Sequence, residues 1–95
     1  MRTEIMHLIL YTKPGCHLCE GLQEKLSQVS HLQFELELRD ITTNDRWWQL
    51  YQYEVPVLVQ KLDATETASE KTLPRLSPRA SVKQLEKLLQ KYLFI

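Results

Sequence analysis

The spacing of hydrophobic and polar positions changes several times along the chain, and each change predicts an element. Ile5 to Tyr11 is apolar at every position but His7, the pattern of a strand covered on both faces. Thr12-Lys13-Pro14-Gly15 follows as a turn, because proline presets the backbone and glycine frees it. Leu18, Leu22, Leu26 and Val29 then recur at helical spacing, with Glu20, Gln23, Glu24 and Gln28 opposite. Ser30-His31 marks the end of this helix. From Gln33 to Ile41 the period falls to that of a strand. Phe34, Leu36 and Leu38 face one way, and Glu35, Glu37 and Arg39 face the other, which suits a sheet edge with one wet side. Thr42 is placed to cap a second helix, with Asp45 in its first turn. Trp47, Trp48, Leu50 and Tyr51 are its apolar members. Trp47 and Tyr51 lie one turn apart and can stack on the sheet, whereas two adjacent tryptophans cannot both face inward, so one is at least partly exposed.

Val55-Pro56 precedes the apolar Val57-Leu58-Val59. A proline opening a strand cannot donate to the ladder, and a cis Val55–Pro56 bond would explain it. Lys61 to Thr72 is polar and reads as a long hairpin connection to a short edge strand at Leu73-Pro74-Arg75-Leu76. Ser81-Val82-Lys83-Gln84 forms a capping box. Val82, Leu85, Leu88, Leu89, Tyr92 and Leu93 make the stripe of a docked helix, with Lys87 and Lys91 toward its negative end. The order β-α-β-α-β-β-α predicts an α/β fold. Parallel strands joined by right-handed crossovers, then a closing hairpin, give a four-stranded mixed sheet with helices on both faces. Residues 1–95 are expected to form one domain.

The chemistry concentrates at Cys16-His17-Leu18-Cys19, which holds both cysteines of the chain at the carboxyl end of the first strand, where such sheets bind ligands. If Cys16 caps or begins the helix, Cys19 lies one turn on, at a separation of about 5–6 Å that a disulfide accepts. Backbone N–H groups and the helix dipole favour an anion at Cys16. Its thiol should therefore ionise below the ordinary value of about 8.5, and the thiolate is the attacking species. Cys16 reads as the nucleophile and Cys19 as the resolving partner. A structural zinc needs about four ligands, and the only histidines are His7, His17 and His31; His17 lies between the cysteines and His7 on the opposite, N-terminal side of a strand, so no metal site is expected. A purely structural disulfide closing so short a loop would remove little unfolded-state entropy. His17 has two readings: an imidazolium that lowers the Cys16 pKa further, or a solvated residue filling the turn.

Composition narrows the partners. Twelve basic residues balance twelve acidic ones, so neither nucleic acid nor an anionic membrane is indicated. The longest apolar run, Leu8-Ile9-Leu10-Tyr11, is far too short to span a bilayer. Met1-Arg2-Thr3-Glu4 has no hydrophobic signal core. A cytoplasmic location and a monomer are expected, and there a disulfide is catalytic more often than structural.

These residues together resemble a glutaredoxin of the thioredoxin-fold superfamily, and more closely the small bacterial glutaredoxin-like group. The strand ending in Leu10-Tyr11-Thr12-Lys13, the Cys16-His17-Leu18-Cys19 motif and Val55-Pro56 carry the likeness, which covers nearly the whole chain. The resemblance implies a thiol–disulfide oxidoreductase acting on protein or small-molecule disulfides. No bound cofactor is implied; glutathione or a thioredoxin-reductase-type system would serve as reductant. It implies that Lys13 helps hold the glutathione carboxylate and that the Val55 main chain pairs with the glutathione peptide. It also implies that Pro56 is the cis-proline facing Cys16. The chain departs from the pattern at two places. His17-Leu18 stands where glutaredoxins carry Pro-Tyr, positions that tune redox poise in the family. The Gly-Gly turn and following Asp that grip glutathione are missing, since Gly15 and Gly21 are the only glycines. Glutathione is accordingly expected to be a poor or non-exclusive partner. A second reading is a thioredoxin-fold binding module, or a carrier holding an iron–sulfur cluster through Cys16.

Overall fold

The computed structural model describes residues 6–30, 32–61 and 70–93. The elements are β1 (Met6–Thr12), α1 (His17–Ser27), β2 (Phe34–Asp40), a 3₁₀ turn (Ile41–Thr43), α2 (Asp45–Tyr51), β3 (Val57–Lys61), β4 (Glu70–Thr72) and α3 (Val82–Leu93). The strands form one sheet in the order β2-β1-β3-β4. β1 is central, as its largely apolar run leads one to expect, with Leu8, Ile9, Leu10 and Tyr11 all buried. His7 is half-exposed at the far end, its Nδ1 3.3 Å from Glu35.

Only β1 and β2 run parallel. β3 pairs antiparallel with β1, Val57 opposite Tyr11, which corrects the expectation of a further parallel crossover. α2 has only seven residues and rises about 10 Å, less than half of the roughly 23 Å that the preceding strand spans. The helix by itself does not carry the chain back to the far end of the sheet, and β3 starts beside the end of β1 and runs back.

Each face of the sheet has its own apolar cluster. Met6, Leu8, Leu10 and Leu58 pack with Leu26 of α1, Leu73, and Leu85 and Leu89 of α3, flanked by Phe34 and Leu36. On the other face Ile9, Tyr11, Val57 and Val59 pack with Ile41, and Trp47 and Tyr51 of α2 lie against them. The Trp47 and Tyr51 rings sit 5.8 and 4.3 Å from that of Tyr11, while Trp48 is exposed. Helices therefore cover both faces, and the adjacent tryptophans divide as expected.

Several boundaries differ from the sequence expectations. α1 ends at Ser27, capped by Gln28, before Ser30; His31 lies outside the described residues. Leu18 is half-exposed and joins no core. In β2 the alternation fails at its end, where Leu38 is exposed and the Arg39 guanidinium lies over the Tyr11 and Trp47 rings at 5.5 and 5.1 Å. Asn44, not Thr42, caps α2, its Oδ1 accepting from the N–H groups of Arg46 and Trp47. Asp40 draws Thr42 into the preceding turn instead, and those two hydrogen bonds, side chain first, hold its carboxyl below the usual range. The edge strand is the exposed Glu70–Thr72, not Leu73–Leu76. Leu73 N–H still donates to Leu58 O at 2.9 Å, but Pro74 has no N–H with which to continue. Most of the polar connection before β4, residues 62–69, lies outside the described residues. The capping box forms as read: Ser81 N–H donates to Gln84 Oε1 and Gln84 N–H to Ser81 Oγ.

The Tyr11 hydroxyl accepts from Arg39 Nη1 at 2.7 Å and donates to Glu70 Oε1 at 3.2 Å. Burial pushes its pKa up to about 12 against the pull of the Arg39 charge, with Glu70 assisting. An unfolded tyrosine loses its proton near 10, so between those values the folded state binds the proton more tightly. The stabilisation is complete below pH about 10 and is lost as pH rises toward 12. The advantage of wild type over Tyr11→Phe should thus shrink by about 1–2 kcal/mol across this window, allowing for solvent screening. Urea midpoints of both proteins at pH about 9 and 11.5 measure it.

Candidate redox site

Thr12 ends β1, and the chain turns through Pro14 and Gly15. Gly15 has φ +78°, a left-handed conformation that side-chain-bearing residues rarely adopt. Cys16 N–H closes the turn on Lys13 O at 3.3 Å. Cys16 is the N-cap of α1, with extended φ and ψ of −89° and 102°. Cys19, one turn on, is buried at 2% exposure, while Cys16 is half-buried. The two are joined as a disulfide with Cα atoms 5.3 Å apart. Cys19 N–H donates to Cys16 Sγ at 3.2 Å. A helix-terminal amide thus already points at the sulfur that would carry charge after reduction. The partner thiol is held behind it, within bonding reach.

His17 is almost wholly exposed, and its Nδ1 is 3.6 Å from Glu20 Oε2. Its nearest charged partner is therefore a carboxylate of the same helix turn. The Val55–Pro56 bond is cis, as expected. Pairing of Val57 with Tyr11 sets Pro56 beside the end of β1, from which the dithiol loop departs. Pro56, His17 and Leu18 line one cleft, so the structure brings them together next to the disulfide. The two residues linked to glutathione by resemblance are otherwise engaged. Lys13 Nζ donates to Gln52 O at 3.1 Å, at the C-cap of α2, where a cation is favoured. Val55 N–H donates to Tyr51 O at 3.1 Å, and its side chain packs against the cluster of Ile9, Tyr11, Ile41, Val57 and Val59.

The cleft itself was not read from the sequence. It measures about 610 Å³ and runs from His17 and Leu18 between α1 and the 73–80 segment to Leu85 and Leu88 of α3. Its strongest sequence signal is Gly21, a glycine inside an otherwise regular helix. Among the described residues no three His, Cys, Asp or Glu side chains cluster as a metal ion would require. Nor is any described helix long and apolar enough to cross a membrane.

A family model described as a glutaredoxin-like domain (DUF836) matches residues 7–90. Comparison with curated proteins gives no match. Among solved structures, a structural-genomics target protein from X. campestris is 25% identical with a TM-score of 0.57, over 88% of this chain and 96% of that one. Thioredoxin 1 from Thermosipho africanus is 17% identical with a TM-score of 0.55, covering 94% of this chain and 96% of its own. The Trx4 domain of ERdj5 is 14% identical with a TM-score of 0.57, covering 94% and 80%. The fold is thioredoxin-like, and a cysteine pair at disulfide distance on it is consistent with redox function.

Proposed function

The chain belongs to the glutaredoxin-like domain family (DUF836), and from that premise we propose that it is a thiol–disulfide oxidoreductase in which Cys16 is the nucleophile and Cys19 resolves. The observation that carries this reading is the asymmetry of the pair. Cys16 caps α1 and accepts the Cys19 N–H, whereas Cys19 is buried. In the reduced protein the Cys16 thiolate attacks one sulfur of a substrate disulfide. The substrate S–S bond breaks, a mixed disulfide forms, and the leaving sulfur departs as a thiolate and takes a proton from water. Cys19 loses its proton, attacks Cys16 Sγ and expels the second substrate thiolate. Two electrons and two protons have then moved from the dithiol to the substrate, leaving the Cys16–Cys19 disulfide. A low-molecular-weight thiol such as glutathione, or a thioredoxin-reductase-type system, returns the electrons. The protein acts as a cytoplasmic monomer.

Limited alkylation of the reduced protein at mildly acidic pH tests the assignment. Cys16 should be labelled first, because it is the more exposed and sits on the helix amides. Mass mapping that found Cys19 labelled first would overturn the roles.

A further inference from the structure

We propose that the cleft beside the disulfide makes this protein selective for polypeptide disulfides flanked by a bulky apolar side chain, in preference to glutathione disulfides. The inference rests on the oxidoreductase reading above and names its substrate class. The cleft adjoins the site: His17 and Leu18, the two residues between the cysteines, line it with Pro56, and Leu22, Leu58, Leu73, Leu76, Leu85 and Leu88 contribute apolar walls. Its volume falls in the range of about 300–1,000 Å³ that ligand sites occupy. Leu18 and Leu50 at the walls are 52% and 53% exposed, so apolar surface is left for an occupant to cover.

Two cations that line the cleft, Arg75 and Lys25, already have partners within the chain. Arg75 Nη1 donates to Glu54 O at 2.7 Å and lies 3.6 Å from Glu54 Oε2. Lys25 Nζ donates to Pro78 O at 2.7 Å. Lys13 Nζ on Gln52 O and the Val55 N–H on Tyr51 O likewise use one donor each within the chain. An anionic tripeptide would compete with these acceptors for the same donors. An apolar side chain needs none of them and gains by leaving water. Its occupant must carry a disulfide to be reduced at Cys16, which joins both requirements in a cysteine-containing peptide segment.

Gly21 supplies an independent observation. It lines the cleft from inside α1, where glycine costs a helix about 0.5–1 kcal/mol relative to alanine. Its φ is not positive, and a Cβ built on it would meet nothing within 4 Å. Neither backbone conformation nor packing demands glycine there. What the missing side chain provides is room in the cleft.

The test compares three oxidised substrates of the reduced protein: a disulfide-linked peptide with leucine and phenylalanine beside its cysteine, the same peptide with serine and glutamine there, and glutathione disulfide. The apolar peptide should have a kcat/KM about tenfold or more above the other two, the factor that burial of one leucine-sized side chain supplies, carried mainly by KM. In Gly21→Leu the ratio of apolar to polar peptide should fall toward one. If that variant fails to fold, Leu18→Ser with Leu50→Ser, both at exposed positions, should lower the same ratio. Equal rates for the two peptides, a faster reaction with glutathione disulfide, or an unchanged ratio in a folded cleft variant would overturn the proposal while leaving the oxidoreductase reading intact. Exchange with none of the three would instead count against that reading itself.

Discussion

Cys16→Ser should abolish disulfide exchange, a loss on the order of 10³-fold or more, the scale on which removal of an enzymatic nucleophile is felt. A serine hydroxyl at the α1 N-cap still accepts a backbone N–H, as serine does well there, so the fold should survive. The hydroxyl stays protonated near neutrality, and the attacking anion is gone. Cys19→Ser should behave differently. The first attack needs only Cys16, so this variant should form a mixed disulfide with substrate and then stall, because no thiol stands one turn along to release it. Intact-mass measurement after mixing each reduced variant with a disulfide substrate should show the adduct on Cys19→Ser and none on Cys16→Ser. The opposite pattern would exchange the two roles.

The largest effect on stability is expected for Leu89→Ala. Leu89 is fully buried on α3 and packs in the cluster with Leu8, Leu10, Leu26, Leu58 and Leu85. Removing its branched end loses transfer free energy and leaves a cavity that neighbours on several elements cannot jointly close, a cost of about 2–5 kcal/mol. Small domains are stable by only about 5–15 kcal/mol, so Tm should fall by roughly 10 °C or more. Leu50→Ala, at an exposed position, should change stability by no more than about 0.5 kcal/mol. Urea unfolding of both variants measures the contrast, and similar midpoints for the two would mean that α3 is not docked on the sheet as described.

Elements whose burial is uniform along one side were legible from residue pattern alone. β1 reads correctly because both of its faces are covered, and α3 because its stripe has a single period and its capping box is local. The Cys16 N-cap and the Cys16–Cys19 spacing follow from helix geometry, which needs no distant partner. The division of Trp47 and Trp48 follows from the angle between adjacent helix positions.

What failed depended on where distant chain segments meet. β4 carries no apolar signal, since Glu70, Lys71 and Thr72 are all exposed; what holds the strand is its main-chain pairing with β3 and the contacts of Glu70 with Tyr11 and Arg39. Arg39 reads as a solvated edge charge until Trp47 and Tyr11 supply rings beneath it. Leu18 reads as core until α1 is set on the sheet and leaves it half-exposed on the wall of a cleft. Lys13 and Val55 read as groups open to a ligand until the C-terminal end of α2 arrives and takes up Lys13 Nζ and the Val55 N–H. By itself, then, the sequence determined the dithiol, the central strand and the stripe and capping box of α3, because periodicity and local capping act over a few residues. Only the tertiary structure decided the direction of β3, the partners of the cations and the shape of the cleft. Hydrogen-bond partners and empty space arise when segments tens of residues apart pack together, and residue spacing carries no record of which will meet.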